Sequence, residues 1–115
     1  MSIKPPQILA PRALPLPVST LEAEMMRERA AALGRVTQAF EQALAAFKDF
    51  DAAPDGRDDR QRHIRREHLL DAAAEALFAF VVQRESCGLR NTEAVLRELR
   101  VPNSVRLRMG AARRR

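Results

Sequence analysis

Missing residue types exclude several classes of protein. The 115-residue sequence holds no tryptophan, no tyrosine, four glycines and one cysteine. The single cysteine, Cys87, rules out an internal disulfide framework and suits a reducing compartment, so we expect a cytoplasmic protein. The four glycines lie far apart, so there is no glycine-rich loop to hold a phosphate. We therefore expect neither a disulfide-rich secreted domain nor a protein with a phosphate-binding loop.

Long apolar runs are also missing. No window approaches 18 uninterrupted apolar residues, so we expect no membrane span and no membrane partner. Five prolines lie within residues 1–17 and interrupt each apolar stretch before it reaches the length of a signal peptide. Proline at this density disfavours helix and central strand. Residues 1–18 are therefore predicted to form an extended or disordered arm, ahead of a single helical domain over residues 19–111.

Positive charge is concentrated at the C-terminal end. The formal net charge is +5, and residues 84–115 contain nine arginines against three glutamates. No acidic residue follows Glu98. Residues 112–115 form an arginine tail in this interpretation. A charge bias of this kind indicates binding partners rather than a fold.

What the sequence does contain is a strong helical signal. Twenty alanines favour helix and close helix packing. The run from Ser19 to Glu22 fits a capping box, which predicts that a long helix begins at Ser19. Apolar residues then alternate at steps of three and four, the spacing that keeps one seam facing a partner helix. The seam consists of Leu33, Val36, Phe40, Ala43, Phe47 and Phe50.

A turn and a second long helix follow. Residues 52–56 combine proline, aspartate and glycine, so the first helix is predicted to span residues 19–51. The second helix is predicted over residues 58–87, with Asp58 or Asp59 near its start. Its apolar face is wide enough to indicate burial against more than one neighbour. The central stripe is Leu70, Ala74, Leu77 and Val81, flanked by Leu69, Ala73 and Phe80 on one side and by Phe78 and Val82 on the other.

Two short helices complete the predicted fold. Gly88 favours a helix stop, because glycine after the cap readily adopts the left-handed conformation. Asn91 or Thr92 is expected to cap a third helix over residues 92–100, and a fourth helix is predicted over residues 103–111.

The element lengths predict an all-α architecture. The short turn makes the two long helices antiparallel neighbours, with the seam from Phe40 to Phe50 facing the region from Ile64 to Leu70. The C-terminal helices and a second copy of the chain are both expected to cover the remaining apolar surface. The predicted assembly is therefore a helical-bundle dimer.

No pattern supports catalysis. His63, Glu67 and Asp71 share one helix face, but a metal site needs three or four convergent ligands, and nearby arginines repel a cation. Cys87 is expected at a helix C-terminus, where the dipole disfavours a thiolate, so we interpret it as a buried cap residue. We expect no catalytic residue, metal, cofactor or small-molecule substrate, and hence not an enzyme.

The turn around Gly88 is expected to be structural. Charged residues surround it and are predicted to cross-link the second and third helices, including a partly buried Arg–Glu pair that would be costly to break. The residues of this turn are Arg84, Glu85, Cys87, Gly88, Arg90 and Glu93.

The C-terminal arginines leave a second interpretation open. The two predicted C-terminal helices and the break between them are basic, which invites comparison with a helix-turn-helix motif. The fit is poor, because Arg106 and Arg108 lie about 200° apart around a helix and so do not form one DNA-reading face. Non-specific contact with nucleic-acid phosphates is the simpler alternative. The candidate contacts are Arg100, Arg106, Arg108, Arg113, Arg114 and Arg115.

Several segments show a resemblance to a known family. They are residues 80–90, 93–98, 101–102 and 105–110, together with residues 31–35 on the first helix and 50–52 at the turn. Across about residues 20–110, the chain resembles an uncharacterised family of short helical bacterial proteins, a domain of unknown function. The resemblance implies a compact helical domain and assigns no site residues.

The preferred hypothesis is a non-enzymatic helical module for protein interaction or structure, homodimeric and with an unidentified protein partner. The alternative is a small basic protein that binds nucleic acid, mostly without sequence specificity, through the arginines beyond Leu99. The two hypotheses differ in whether removal of those arginines abolishes binding.

Overall fold

The computed structural model describes residues 18–53 and 59–113, the last two of them by backbone alone. These residues form four α-helices and no strand: α1, Val18–Ala52; α2, Arg60–Ser86; α3, Thr92–Glu98; and α4, Asn103–Arg113. The predicted all-α class, long hairpin and pair of short C-terminal helices are confirmed. The predicted arm over residues 1–17 and the end of the tail, residues 114–115, lie outside the described part of the chain.

The two long helices are antiparallel but unequal in length. Near the turn, Arg66 Nε on α2 lies 2.6 Å from Asp51 Oδ1 on α1. At the opposite end, the Cys87 Sγ atom that follows α2 lies 3.7 Å from the carbonyl oxygen of Arg29. Residues 18–28, which we name the projecting segment, therefore continue beyond the end of α2 for roughly 16 Å at 1.5 Å per residue.

The starts of the long helices were predicted with different success. Asp59 caps α2, because its side chain accepts a 2.8 Å hydrogen bond from the Arg62 backbone N–H. The predicted cap at Ser19 is wrong. Helix α1 already includes Val18, so Ser19 lies within the first turn.

The turn after α2 is a Schellman motif. Gly88 has a φ of +75°, its N–H donates to the Glu85 carbonyl at 3.0 Å, and the Leu89 N–H donates to the Arg84 carbonyl at 3.0 Å. The predicted left-handed glycine is confirmed. Cys87 is half-buried rather than buried as predicted, because it lies at the end of the hairpin with α1 on one side.

Two residues other than glycine adopt left-handed conformations beside α3. Asn91 is the N-cap residue of α3, one of the two predicted positions, but its φ is 63° and its side chain makes no capping hydrogen bond. Arg100 follows α3 with a φ of 55°. The Arg100 N–H donates to the Arg97 carbonyl at 3.0 Å, and the Val101 N–H donates to the Leu96 carbonyl at 3.1 Å. This is a second Schellman motif, with arginine at the position that usually holds glycine.

The core lies where α2 meets α1 on one side and α4 on the other. The Phe40 and Phe80 rings stack with centroids 5.2 Å apart and planes inclined by 25°. The buried cluster draws on α1, α2, α3 and α4: Phe40, Leu44, Phe47, Leu70, Ala73, Leu77, Phe80, Leu96 and Val105. All four helices therefore contribute to one core.

The predicted apolar faces needed two corrections. On α1, Leu44 is buried, whereas Ala43 and Phe50 of the predicted seam are half-buried, because α2 packs on the Leu44 side. Ile64, which was expected to face the seam, remains 38% exposed. On α2, Leu70 and Leu77 of the central stripe lie in the core with Ala73 and Phe80 of one flank. Phe78 and Val82, the other predicted flank, are 40% and 44% exposed.

Candidate interaction surfaces

Arg84 cross-links α2 to the turn and to α3. Its Nε donates to the Thr92 hydroxyl oxygen at 3.1 Å, and its Nη2 donates to the Arg90 carbonyl at 2.8 Å. Its guanidinium carbon also lies 5.8 Å from the centre of the Phe80 ring. The acceptors are neutral oxygens, whereas an Arg–Glu pair was expected across this turn. Glu85 of the same turn is exposed.

Glu93 forms its ion pair with α4. Arg106 Nη1 lies 3.0 Å from Glu93 Oε1 and 3.3 Å from Oε2. This pair joins α3 to α4, so Arg106, predicted as a contact for nucleic acid, is already bound to a carboxylate within the chain.

Arg108 is held on the opposite side of α4 by two acids of α2. Its Nη2 lies 2.8 Å from Glu67 Oε1, and its Nη1 donates to Asp71 Oδ1. These hydrogen bonds raise the pKa of the Arg108 guanidinium. Glu67 and Asp71, which were considered as metal ligands, therefore form ion pairs with an arginine instead. Within residues 18–53 and 59–113, no group of three or more histidine, cysteine or acidic side chains is placed to hold a metal ion.

Two of the predicted nucleic-acid contacts, Arg106 and Arg108, lie on different surfaces. Arg106 faces α3 and Arg108 faces α2, as expected from their angular separation. Arg100 is exposed at the end of α3. Arg113 is the last residue of α4, described by its backbone, while Arg114 and Arg115 lie outside the described residues.

A cleft of about 530 Å³ opens between α3 and the start of α4. Three arginines and one glutamate line it, with an asparagine and two apolar residues. They are Glu93, Leu96, Arg97, Arg100, Val101, Asn103 and Arg106. Arg97 was absent from the predicted contacts, although its spacing of three residues from Arg100 on a helical segment could have indicated it.

A different arrangement of arginines covers the turn end of the hairpin. The Arg62 guanidinium carbon lies 4.5 Å from the centre of the Phe50 ring, and that of Arg66 lies 5.1 Å from the Phe47 ring. Arg66 also binds Asp51, and this hydrogen bond holds the pKa of the Asp51 carboxyl below its ordinary value. The polar start of α2 therefore shields aromatic rings of α1 through cation–π contacts.

The projecting segment exposes large apolar side chains. Leu21 is 41% exposed and Met25 is 54% exposed. At about 100° per residue, Met25 lies about 60° and Leu21 about 100° around α1 from the buried Phe40. Val18 and Met26 are exposed to an even greater extent. This is the clearest concentration of exposed apolar side chains in one described segment.

None of the helices in the described ranges combines the length and apolar character needed to cross a membrane. The fold and its surfaces define the class: an all-α protein built on a long helical hairpin, with two short helices packed at its side. Within that class, the chain belongs to a family described as a family of unknown function (DUF6665), whose sequence profile matches residues 7–115. No curated protein matches the chain, and no solved structure matches it either.

Proposed function

We propose that this protein is a non-enzymatic helical module of the bacterial cytoplasm that self-associates through the projecting segment of α1. The observation that supports this proposal is the exposure of Leu21 and Met25 beyond the end of α2. The occupant we propose for this surface is a second copy of the chain.

Continuity of the apolar surface favours a helical partner. Further along α1, residues such as Phe40 and Phe47 pack into the core against α2. Beyond the end of α2, Met25 lies close to the continuation of this side, and Leu21 lies one turn away on the edge of it. A helix laid along this side would therefore extend the packing that α2 provides elsewhere.

Charge on the projecting side is compatible with a second copy. The projecting segment itself contains three glutamates and one arginine, and the two arginines at positions 29 and 35 follow it directly. Residues 18–35 are therefore neutral overall, which limits the repulsion between two copies. The excess arginines lie elsewhere. Arg108 meets α2 at Glu67 and Asp71, far from the C-terminal end of α2 where the segment projects.

The test is the molar mass in solution, measured by light scattering from micromolar to high micromolar concentration. We expect a mass near twice the 12.9 kDa of one chain. Met25→Glu places a charge in the proposed interface and should return the mass to that of a monomer. Leu107→Glu is the matched control, because Leu107 is 74% exposed on α4, so this variant should remain dimeric.

Two outcomes would contradict the proposal. Wild-type protein that stays monomeric at high micromolar concentration would exclude self-association, and a Met25→Glu variant that stays dimeric would exclude this surface. Circular dichroism of each variant shows whether the helical content is retained.

Nucleic-acid binding by the full set of C-terminal arginines has less support. Arg106 and Arg108 are engaged with carboxylates and face different helices. A chain that ends at Leu99 would lack Val105 and part of the core, so single substitutions test this alternative better than truncation.

A further inference from the structure

We infer that the cleft between α3 and α4 binds a phosphate group through Arg97, Arg100 and Arg106. This site is separate from the projecting segment, and its test does not depend on whether the protein forms a dimer. The phosphate is either a free anion or part of a nucleic-acid backbone, and the experiment below distinguishes these sources.

The cleft has an excess of positive charge that its own acid does not neutralise. Three arginines line it against a single glutamate, Glu93. Among the described residues, Arg97 and Arg100 have no ion-pair partner. One doubly charged phosphate, or two adjacent phosphodiesters of a nucleic-acid backbone, would balance the two remaining positive charges.

Arg106 is oriented toward the cleft before any ligand binds. Its Nη1 is shared between the two carboxylate oxygens of Glu93, at 3.0 and 3.3 Å. The Nε and Nη2 atoms take no part in this pair. Guanidinium groups bind phosphate oxygens through paired N–H donors, and Arg106 keeps the Nε and Nη2 pair available for this purpose. The ion pair with Glu93 limits the rotation of the side chain.

Arg100 is held at the cleft by its backbone. Its φ of 55° is stabilised by the two hydrogen bonds that close the turn after α3. Glycine would satisfy this conformation with less strain, but it would remove the guanidinium from the cleft wall. The strained conformation thus places a charged side chain beside Arg97, which precedes it by three residues.

Asn103, the first residue of α4, also lines the cleft. The positive end of the α4 dipole therefore points toward the same space and adds to the attraction of an anion. Phosphate suits this arrangement better than a carboxylate, because its oxygens diverge toward several donors at once. The open cleft is large enough to admit a phosphate that is attached to a larger molecule.

The first arm of the experiment uses inorganic phosphate. Binding is followed by the NMR signals of the arginine side-chain N–H groups, with sodium chloride added to keep ionic strength constant. We expect signals of the cleft arginines to shift and saturate. Arg97→Gln and Arg100→Gly should each weaken binding about tenfold, the loss expected for one charge-assisted contact.

The matched control is Arg60→Gln. It removes one positive charge from the exposed first residue of α2, which neither lines the cleft nor belongs to the projecting segment, and should leave phosphate binding unchanged. Arg100→Gly is informative because glycine suits the left-handed position, so a loss of binding by this variant cannot be attributed to a damaged fold. The melting temperature of each variant checks this point.

The second arm uses a short DNA duplex, followed by fluorescence anisotropy at constant salt. Binding of inorganic phosphate, with duplex binding either absent or equal in Arg97→Gln and wild type, indicates a site for a free anion. Duplex binding that falls in Arg97→Gln but not in Arg60→Gln indicates backbone phosphate. The inference is overturned if inorganic phosphate does not bind and duplex binding does not fall in Arg97→Gln, or if Arg60→Gln reduces binding as much as Arg97→Gln does.

Discussion

The Lys48 ammonium donates a 2.9 Å hydrogen bond to the carbonyl oxygen of Leu99, which lies 51 residues further along the chain. Leu99 is the C-cap of α3. Carbonyls at a helix C-terminus lack partners within the helix, and a cation there also interacts favourably with the dipole. Lys48 thus joins the first long helix to the end of the third helix, although few other bonds connect these two elements.

Replacement of Lys48 should therefore destabilise the docking of α3. We expect Lys48→Met to lower the free energy of unfolding by about 1.5–3 kcal/mol, the range for a hydrogen bond to a charged group. Urea denaturation measures the change. Lys48→Arg, which retains a cationic donor, should recover most of the loss, and equal losses in both variants would show that the hydrogen bond is unimportant.

The effect of a substitution at Gly88 should depend on how readily the new residue adopts a positive φ, and not on the size of its side chain. A Cβ atom at this position would meet nothing within 4 Å, so the cost comes from the φ of +75°. We expect Gly88→Val to lower stability by about 1–2 kcal/mol and Gly88→Asn to cost less, since asparagine visits the left-handed region more readily.

Gly34 provides the control for this prediction. It lies in the interior of α1, also with no atom within 4 Å of an added Cβ, but its φ is not positive. Gly34→Ala should therefore raise stability by about 1 kcal/mol. Thermal melts of the variants separate the two effects, and equal behaviour of Val and Asn at position 88 would contradict the first.

Arg100→Gly should stabilise the fold. The residue has a φ of 55° in a turn whose geometry usually selects glycine. Relief of the left-handed strain should contribute about 1 kcal/mol, which corresponds to roughly 4–8 °C in melting temperature for a domain of this size. Arg97→Gly is the comparison, because it places glycine inside α3 and should destabilise by about 1 kcal/mol. A lower melting temperature for Arg100→Gly would disprove the strain.

Stability should decline in acid through Asp51. The pKa of this carboxyl in the folded state lies below its ordinary value because of the hydrogen bond from Arg66. The stabilisation is therefore complete above the unfolded-state pKa of about 4 and is lost as pH falls through the lower folded-state pKa. Both side chains are partly exposed, so the effect is small.

Asp51→Asn tests this pH dependence. At neutral pH, the variant should melt below wild type, and the difference should shrink as the pH falls below about 4. Thermal melts at both pH values provide the measurement. A difference that stays constant across this range would show that another group is responsible.

The helices could be predicted because their signals are local. The turn composition of residues 52–56, the cap at Asp59 and the stop at Gly88 each depend on neighbouring residues, and each marks a boundary seen in the structure. Arg100 could not be predicted in the left-handed conformation, since arginine has no preference for it. That conformation belongs to the turn that reverses the chain from α3 into α4, which the Arg100 and Val101 N–H groups close.

The contacts of the arginines were the least predictable part. Their partners depend on the register of the hairpin, which places Arg62 over Phe50 and Arg66 over Phe47. Counting charges along the sequence showed where the arginines are concentrated. It did not show that Arg108 forms ion pairs with Glu67 and Asp71. The residues left for external contacts, Arg97 among them, emerge only once these internal pairs are known.

The unequal lengths of the two long helices have a consequence for amide hydrogen exchange. The projecting segment covers about three helical turns, and isolated helices shorter than about 12–15 residues are marginal in water. Its amides should therefore exchange faster than those near Phe40, which lies in the core. A second copy on this segment would slow that exchange as protein concentration rises, so residues 18–28 report assembly through their own backbone.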